Sequence, residues 1–224
     1  MISPTGSSGR RAGVLIAAVA LTGALTSGCG SAKDDSRPHA AGGATLTIPD
    51  RLLDGRFRNN HFVRGTADMS QDRQAKELGL DETTEVGGTF VDDHKQKLAV
   101  MGMYGRIAQP RKTLDALAET RQKDDRKDGV SRTPWTEFHP AGLGDAVLKC
   151  STAKSRFTMG STTVFSDTGD CVWADAHTAA VVHLAVEKEV PQDADSATGD
   201  PMSARQLATA TGKIRQETRH SSDK

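Results

Sequence analysis

Ser151 and Lys154 have the Ser-x-x-Lys spacing, in which a lysine activates a serine for nucleophilic attack when both lie on one turn of a helix. Here Ser151 follows a cysteine at the end of a predicted strand, and the chain has no accompanying Ser-Asp-Asn or Lys-Thr-Gly. A strand that ends in a polar turn is therefore the favoured interpretation. A serine enzyme that uses Ser151 as nucleophile and Lys154 as base stays open as the alternative.

Asp175, His177 and His183 are residue types that could form an acid–base pair or bind a metal ion. On one strand, His177 and His183 share a face but lie about 20 Å apart, too far to hold one ion. We expect these histidines to be structural or exposed, and Asp175 to hydrogen-bond the turn that follows it. The sequence thus predicts no catalytic residue, no metal site and no cofactor.

Cys150 and Cys171 could form a disulfide or bind a metal. Neither belongs to a Cys-x-x-Cys motif or has a histidine at a metal-binding spacing. The disulfide is favoured because such bonds persist outside the cytoplasm, and closing this loop would stabilise the fold by about 3 kcal/mol. Trp173 is then expected to pack against the disulfide rather than bind a ligand.

The start of the chain indicates where these residues work. Arg10 and Arg11 precede an apolar run over residues 14–25, which is long enough for a secretion signal and too short to span a bilayer permanently. The sequence Leu-Thr-Ser-Gly-Cys at 25–29 resembles a bacterial lipobox. We therefore expect cleavage after residue 28 and a diacylglycerol on Cys29. Ordinary secretion, with Cys29 a free thiol, is the alternative.

The 224-residue chain is predicted to contain one folded domain. The expected order is a lipoprotein signal peptide at 1–28, the anchor cysteine and a flexible tether at 29–44, a single α+β domain at 45–217, and a flexible tail at 218–224. The chain has 29 basic and 29 acidic residues and no basic stripe, so we expect no nucleic-acid partner. We also expect a monomer.

Hydrophobic periodicity predicts an antiparallel sheet with every helix on one face. The expected strands lie near 45–48, 84–91, 97–107, 146–150, 171–174 and 179–186. The expected helices lie near 71–78, 110–120 and 201–216, the last capped by Asp200 with Pro201 at its first position. Residues 156–159 and 162–165 are expected to form a hairpin. Composition predicts a turn at 166–170 and an exposed, charge-dense loop at 121–132.

Several short segments occur in a recognisable order. They are Thr45-Leu46-Thr47-Ile48-Pro49, Tyr104-Gly105 before a helix, Leu148-Lys149-Cys150, Cys171-Val172-Trp173-Ala174-Asp175 and a C-terminal helix. This order resembles a group of secreted lipoproteins from high-GC Gram-positive actinomycetes. The group has no assigned activity, so the resemblance implies an envelope location and a disulfide, and it transfers no catalytic residue.

The sequence therefore predicts a non-enzymatic lipoprotein, anchored by Cys29 at the outer face of the cytoplasmic membrane. Its expected partners are the membrane, through the lipid, and an unidentified protein or ligand of the envelope. The alternatives are the serine enzyme described above and a purely structural envelope component.

Overall fold

The computed structural model describes residues 43–63, 79–127, 130–159, 161–191 and 202–220. Within these ranges the chain forms eleven strands and two helices. The strands are β1 (Thr45–Leu46), β2 (Arg51–Leu52), β3 (Phe57–Val63), β4 (Leu80–Val91), β5 (Lys97–Ile107), β6 (Ser131–Arg132), β7 (Thr136–Glu137), β8 (Val147–Met159), β9 (Thr162–Ala174), β10 (Thr178–Pro191) and β11 (Arg219–His220). The helices are α1 (Pro110–Lys127) and α2 (Ala204–Thr218).

Nine strands form one antiparallel sheet in the order β2-β3-β4-β5-β10-β9-β8-β6, with β7 also paired to β8. The α+β class and the antiparallel sheet are therefore confirmed. The predicted hairpin is also present, and its strands are longer than expected, pairing from Val147 opposite Ala174 to Met159 opposite Thr162. Residues 166–170 are not a turn, because each of them pairs with β8 on one side and β10 on the other.

The two helices lie on opposite faces of the sheet, so the prediction that all helices share one face is wrong. Along β9, Cys171 and Trp173 pack in the same core cluster as Leu207 and Ile214 of α2. The alternate residues of β9, Val172 and Ala174, pack instead with Leu114 and Ala118 of α1. A strand that is apolar on both faces requires a cover on both. We call these two sides the α2 face and the α1 face.

Helix α1 begins at Pro110, as predicted, but it continues to Lys127 instead of ending near residue 120. Pro110 suits the first turn because its missing N–H has no partner there in any helix. The expectation of an exposed loop over 121–132 is wrong: Asp125 is buried, and Arg132 lies in β6. The reason is a set of ion pairs described below.

Helix α2 begins at Ala204, three residues later than predicted, and ends at Thr218. Its N-cap is Ser203, not Asp200. The Ser203 hydroxyl accepts from the Gln206 backbone N–H, and the Gln206 side chain accepts from the Ser203 backbone N–H. This reciprocal pair satisfies two donors that a helix start otherwise leaves unpaired. The predicted helix at 71–78 lies outside the described residues.

The two ends of the domain pair with each other, which corrects both predicted boundaries. In the β1–β11 pair, Thr45 lies opposite His220. The Thr47 backbone N–H also donates to the Thr218 carbonyl over 2.8 Å. The fold therefore extends through His220, whereas a flexible tail from 218 was expected. At the other end Ala44, assigned to the tether, is buried.

The predicted disulfide is confirmed. Cys150 and Cys171 lie directly opposite each other on β8 and β9, and both are fully buried on the α2 face. Trp173, also fully buried, belongs to the same core cluster. The bond crosslinks the two strands of the β8–β9 hairpin under α2.

We predict that reducing this disulfide lowers the free energy of unfolding by about 3 kcal/mol, because the reduced unfolded chain regains loop entropy. Urea denaturation of the wild type with and without reductant measures the difference. The Cys150→Ala/Cys171→Ala variant is the control and should not respond to reductant. A wild type that is equally stable in both conditions would contradict the prediction.

Candidate functional site

The structure does not bring Ser151 and Lys154 together. Three residues apart on β8, their side chains lie on opposite faces of the sheet. The Ser151 hydroxyl is buried and donates to the Thr133 carbonyl over 2.6 Å. The Lys154 side chain is 77 % exposed and lies 3.7 Å from Asp167. The proposed nucleophile–base pairing of these two residues is therefore wrong, because it needs helical geometry and the segment is a strand.

Asp170, on the α1 face of β9, is the centre of a buried ionic cluster. Its carboxylate is 0 % exposed and contacts side chains from three other elements. Nδ1 of His183, on β10, lies 2.8 Å from Oδ1. Nη2 of Arg132, on β6, donates to Oδ2 over 2.6 Å, and Nη2 of Arg121, on α1, lies 3.2 Å from Oδ1. Arg132 also pairs through Nε with Asp125 of α1. We call these five residues the Asp170 cluster.

The electrostatics of the cluster keep its central carboxylate ionised. Burial by itself raises the pKa of Asp170, but the hydrogen bond and charge of His183, with the charges of Arg121 and Arg132, outweigh burial and lower the pKa to about 2. Burial also opposes the charge of Arg132, yet its bonds to Asp125 and Asp170 raise its pKa. The cluster is thus a permanently charged link between α1 and the sheet.

Asp170 lies between Ser151 and His183 in one row across three strands, because both residues are its direct partners in register. In a serine hydrolase the histidine must stand between the serine and the carboxylate. The order here is different, and the Ser151 hydroxyl is bonded to Thr133 instead. The arrangement surrounds the Asp170 carboxylate with groups that balance its charge.

Asp175 organises the turn between β9 and β10, as its position in the sequence predicted. It accepts from the backbone N–H groups of His177 and Thr178, each over 2.7 Å, and from the Thr178 hydroxyl over 2.6 Å. It also accepts from Nη2 of Arg215 on α2 over 2.6 Å. Burial raises the pKa of Asp175, but these donors outweigh it and the pKa is lowered. Asp175 therefore holds α2 to this turn.

The two histidines have separate surroundings. His183 contacts Asp170, whereas His177 lies in the turn, where its ring is next to Gly43. Among the residues that the structure describes, no group of three or more His, Cys, Asp or Glu side chains is arranged to hold a metal ion.

A small cavity on the α1 side of the sheet was not anticipated from the sequence. Its volume is about 110 Å³. It is lined by Glu85, Val86, Gly87, Met101, Gly102, Met103 and Val181, and we call it the Met101 cavity. Met101 is a large hydrophobic side chain that is nevertheless 48 % exposed. The strand predicted near 97–107 carried no indication of an exposed apolar surface, so this surface is a finding of the structure.

Register explains how the Met101 cavity forms. Gly87 on β4 lies opposite Met101 on β5, and Glu85 lies opposite Met103. A Cβ atom on Gly87 would lie 2.7 Å from the Met101 sulfur, so only glycine leaves room for that side chain as it is placed. The sequence signal was the Gly87-Gly88 pair inside a β-rich segment, where a glycine marks a close approach.

Comparison with protein-family models, with curated proteins and with solved structures found no match to this chain. No helix among the described residues is long and apolar enough to cross a bilayer. Cys29, the predicted lipid-attachment residue, lies outside the described residues.

We predict that Asp170→Asn lowers the free energy of unfolding by about 3 kcal/mol, because it leaves the nearly covered Arg132 side chain and the half-buried Arg121 facing a neutral group. Chemical denaturation at pH 7 measures the loss. Asp167→Asn is the matched control on the same strand: its partner Lys154 is exposed, and the change should cost less than about 1 kcal/mol. Equal losses in the two variants would contradict the importance of the cluster.

The lowered pKa of Asp170 also predicts a pH dependence. A carboxyl group with a folded-state pKa near 2 and an ordinary value of 3.8 stabilises the fold above about pH 4, and this contribution is lost as pH falls toward 2. Its size is about 2 kcal/mol. The free energy of unfolding, measured between pH 6 and about pH 2, should therefore fall more steeply with pH for the wild type than for Asp170→Asn. Parallel pH profiles of the two proteins would refute this assignment.

Proposed function

We propose that this protein is a lipoprotein of the outer face of the cytoplasmic membrane, and that its folded domain binds a partner of the cell envelope without catalysing a reaction. The attachment is a diacylglycerol on Cys29. The domain then stands in the oxidising space outside the cytoplasm, on a tether that starts behind this cysteine.

The sequence around the proposed cleavage site supports the membrane anchor. The basic pair at Arg10 and Arg11, the apolar run at 14–25 and the small residues before Cys29 are the parts that a lipoprotein signal requires. The buried disulfide between Cys150 and Cys171 agrees with this compartment, since disulfides persist outside the cytoplasm. Lipid attachment through two acyl chains anchors a protein stably.

The Met101 cavity is the observation that carries the binding role. Isolated exposed apolar residues are ordinary, but here an exposed methionine borders a cavity with a second methionine, two valines and one carboxylate. Methionine side chains are flexible and polarisable, and surfaces built from them adapt to varied partners. The serine-enzyme alternative loses its geometric basis, since Ser151 is buried and Lys154 lies on the other face.

The anchor predicts that Cys29→Ala releases the protein from the membrane into the medium, because the alanine has no thiol to accept the lipid. Fractionation of the native host, followed by immunoblotting of membranes and medium, measures the change. Cys150→Ala/Cys171→Ala is the control, and any of it that folds should stay with the membrane. An alanine-29 variant that remains membrane-bound would disprove the anchor.

The binding role predicts that a photo-crosslinking amino acid at position 101 forms a discrete adduct in intact cells, because Met101 borders the proposed contact surface. The same group at position 154 is the control, since Lys154 is exposed on the opposite face. Mass spectrometry identifies the adduct. The proposal fails if position 101 gives no adduct, or if positions 101 and 154 give the same products.

A further inference from the structure

We propose that the Met101 cavity receives a lysine side chain from a partner peptide, with the ammonium group paired to Glu85 and the alkyl stem packed on the methionines. This inference rests on the binding function proposed above and names the chemical class of the ligand.

The charge of the cavity lining favours a cationic ligand. Glu85 is the one charged residue in the cavity lining, and it is only partly exposed. It makes no hydrogen bond or ion pair with the part of the chain that the structure describes. By contrast, Asp170 and Asp175 are both engaged in ion pairs. A carboxylate beside apolar walls attracts a cation more strongly than one in open water does.

The lining also favours a cation with an apolar stem. Met101, Met103 and Val181 are apolar, and each methylene buried against them contributes about 0.8 kcal/mol. A lysine has four methylenes below a compact ammonium, which suits a cavity lined by apolar side chains and one carboxylate. An arginine prefers a bidentate carboxylate or an aromatic ring to stack on. The lining contains no aromatic residue.

An anionic ligand fits this face less well. Basic side chains on this face are already paired: His183 on β10 and Arg121 on α1 contact Asp170, and Lys97 on β5 contacts Glu187. His183 lies two residues from Val181 on the same face of β10. An anion near the cavity would therefore compete with Asp170 for contact with His183. A cation at Glu85 disturbs none of these pairs.

The experiment uses the full-length protein in detergent, with the methionine methyl groups labelled with ¹³C. The probe is Nα-acetyl-lysine N-methylamide, which carries the lysine side chain between two peptide bonds. We expect saturable shifts of the Met101 and Met103 methyl signals, and weak, millimolar affinity for this single residue. The norleucine analogue has the same stem without the ammonium, and it should bind about fivefold more weakly.

Two variants test whether Glu85 supplies the negative charge that binds the ammonium group of the probe. Glu85→Gln keeps the shape of the side chain and should weaken binding of the lysine probe about fivefold, while leaving the norleucine analogue unchanged. Glu187→Gln is the matched control, because Glu187 is an exposed residue of the same face that pairs with Lys97. It should bind the lysine probe as the wild type does.

Several results would overturn the inference: equal affinity for the lysine and norleucine probes, unchanged binding by Glu85→Gln, or no saturable shift of the two methionine signals. Tighter binding of free cadaverine than of the lysine probe would also overturn it, since the ligand would then be a free diamine. If the inference fails while the cross-link at position 101 persists, the binding domain stands and only the ligand class is wrong.

Discussion

Asp170 is a fully buried carboxylate in the middle of the sheet, and much of the fold serves to balance its charge. An unpaired ion at this depth would cost several kcal/mol, so the neighbouring elements must deliver cations to it. Helix α1 extends by two turns beyond its apolar part to bring Arg121 and Asp125 into place. The short strand β6 then lays Arg132 between Asp125 and Asp170, and β10 supplies His183. One carboxylate thereby fixes four elements relative to each other.

The two faces of the sheet have different roles as a result. The α2 face is closed by a helix, the disulfide and Trp173, and Asp175 locks that helix to the turn between β9 and β10. On the α1 face, helix α1 packs over β8, β9 and β10 at the position that the Asp170 cluster sets. The Met101 cavity lies farther along this face, over β4, β5 and β10. Exposed apolar surface thus occurs on the same face of the sheet as the ionic cluster.

Local patterns in the sequence predicted the elements whose own residues specify them. The central strands, the disulfide, the start of α1 and the presence of a C-terminal helix all followed from short-range signals. Two of the failures share a physical cause: residues 121–132 and 166–170 are rich in polar and charged residues, which normally indicate exposed loops and turns. Their burial depends on Asp125, Arg132 and Asp170 meeting across the fold, and no local pattern records such a pairing. The Met101 cavity was missed for a similar reason, because the pairing of Gly87 with Met101 follows only from strand register.

Hydrogen–deuterium exchange of Asp170→Asn under native conditions tests the central claim most directly. The Asp170 cluster, on this account, holds the second half of α1 to the sheet. Amides of residues 121–127 should therefore exchange about tenfold faster than in the wild type, while those of residues 207–214 in α2 keep their protection. Unchanged exchange at 121–127, or an equal increase in both helices, would contradict the account.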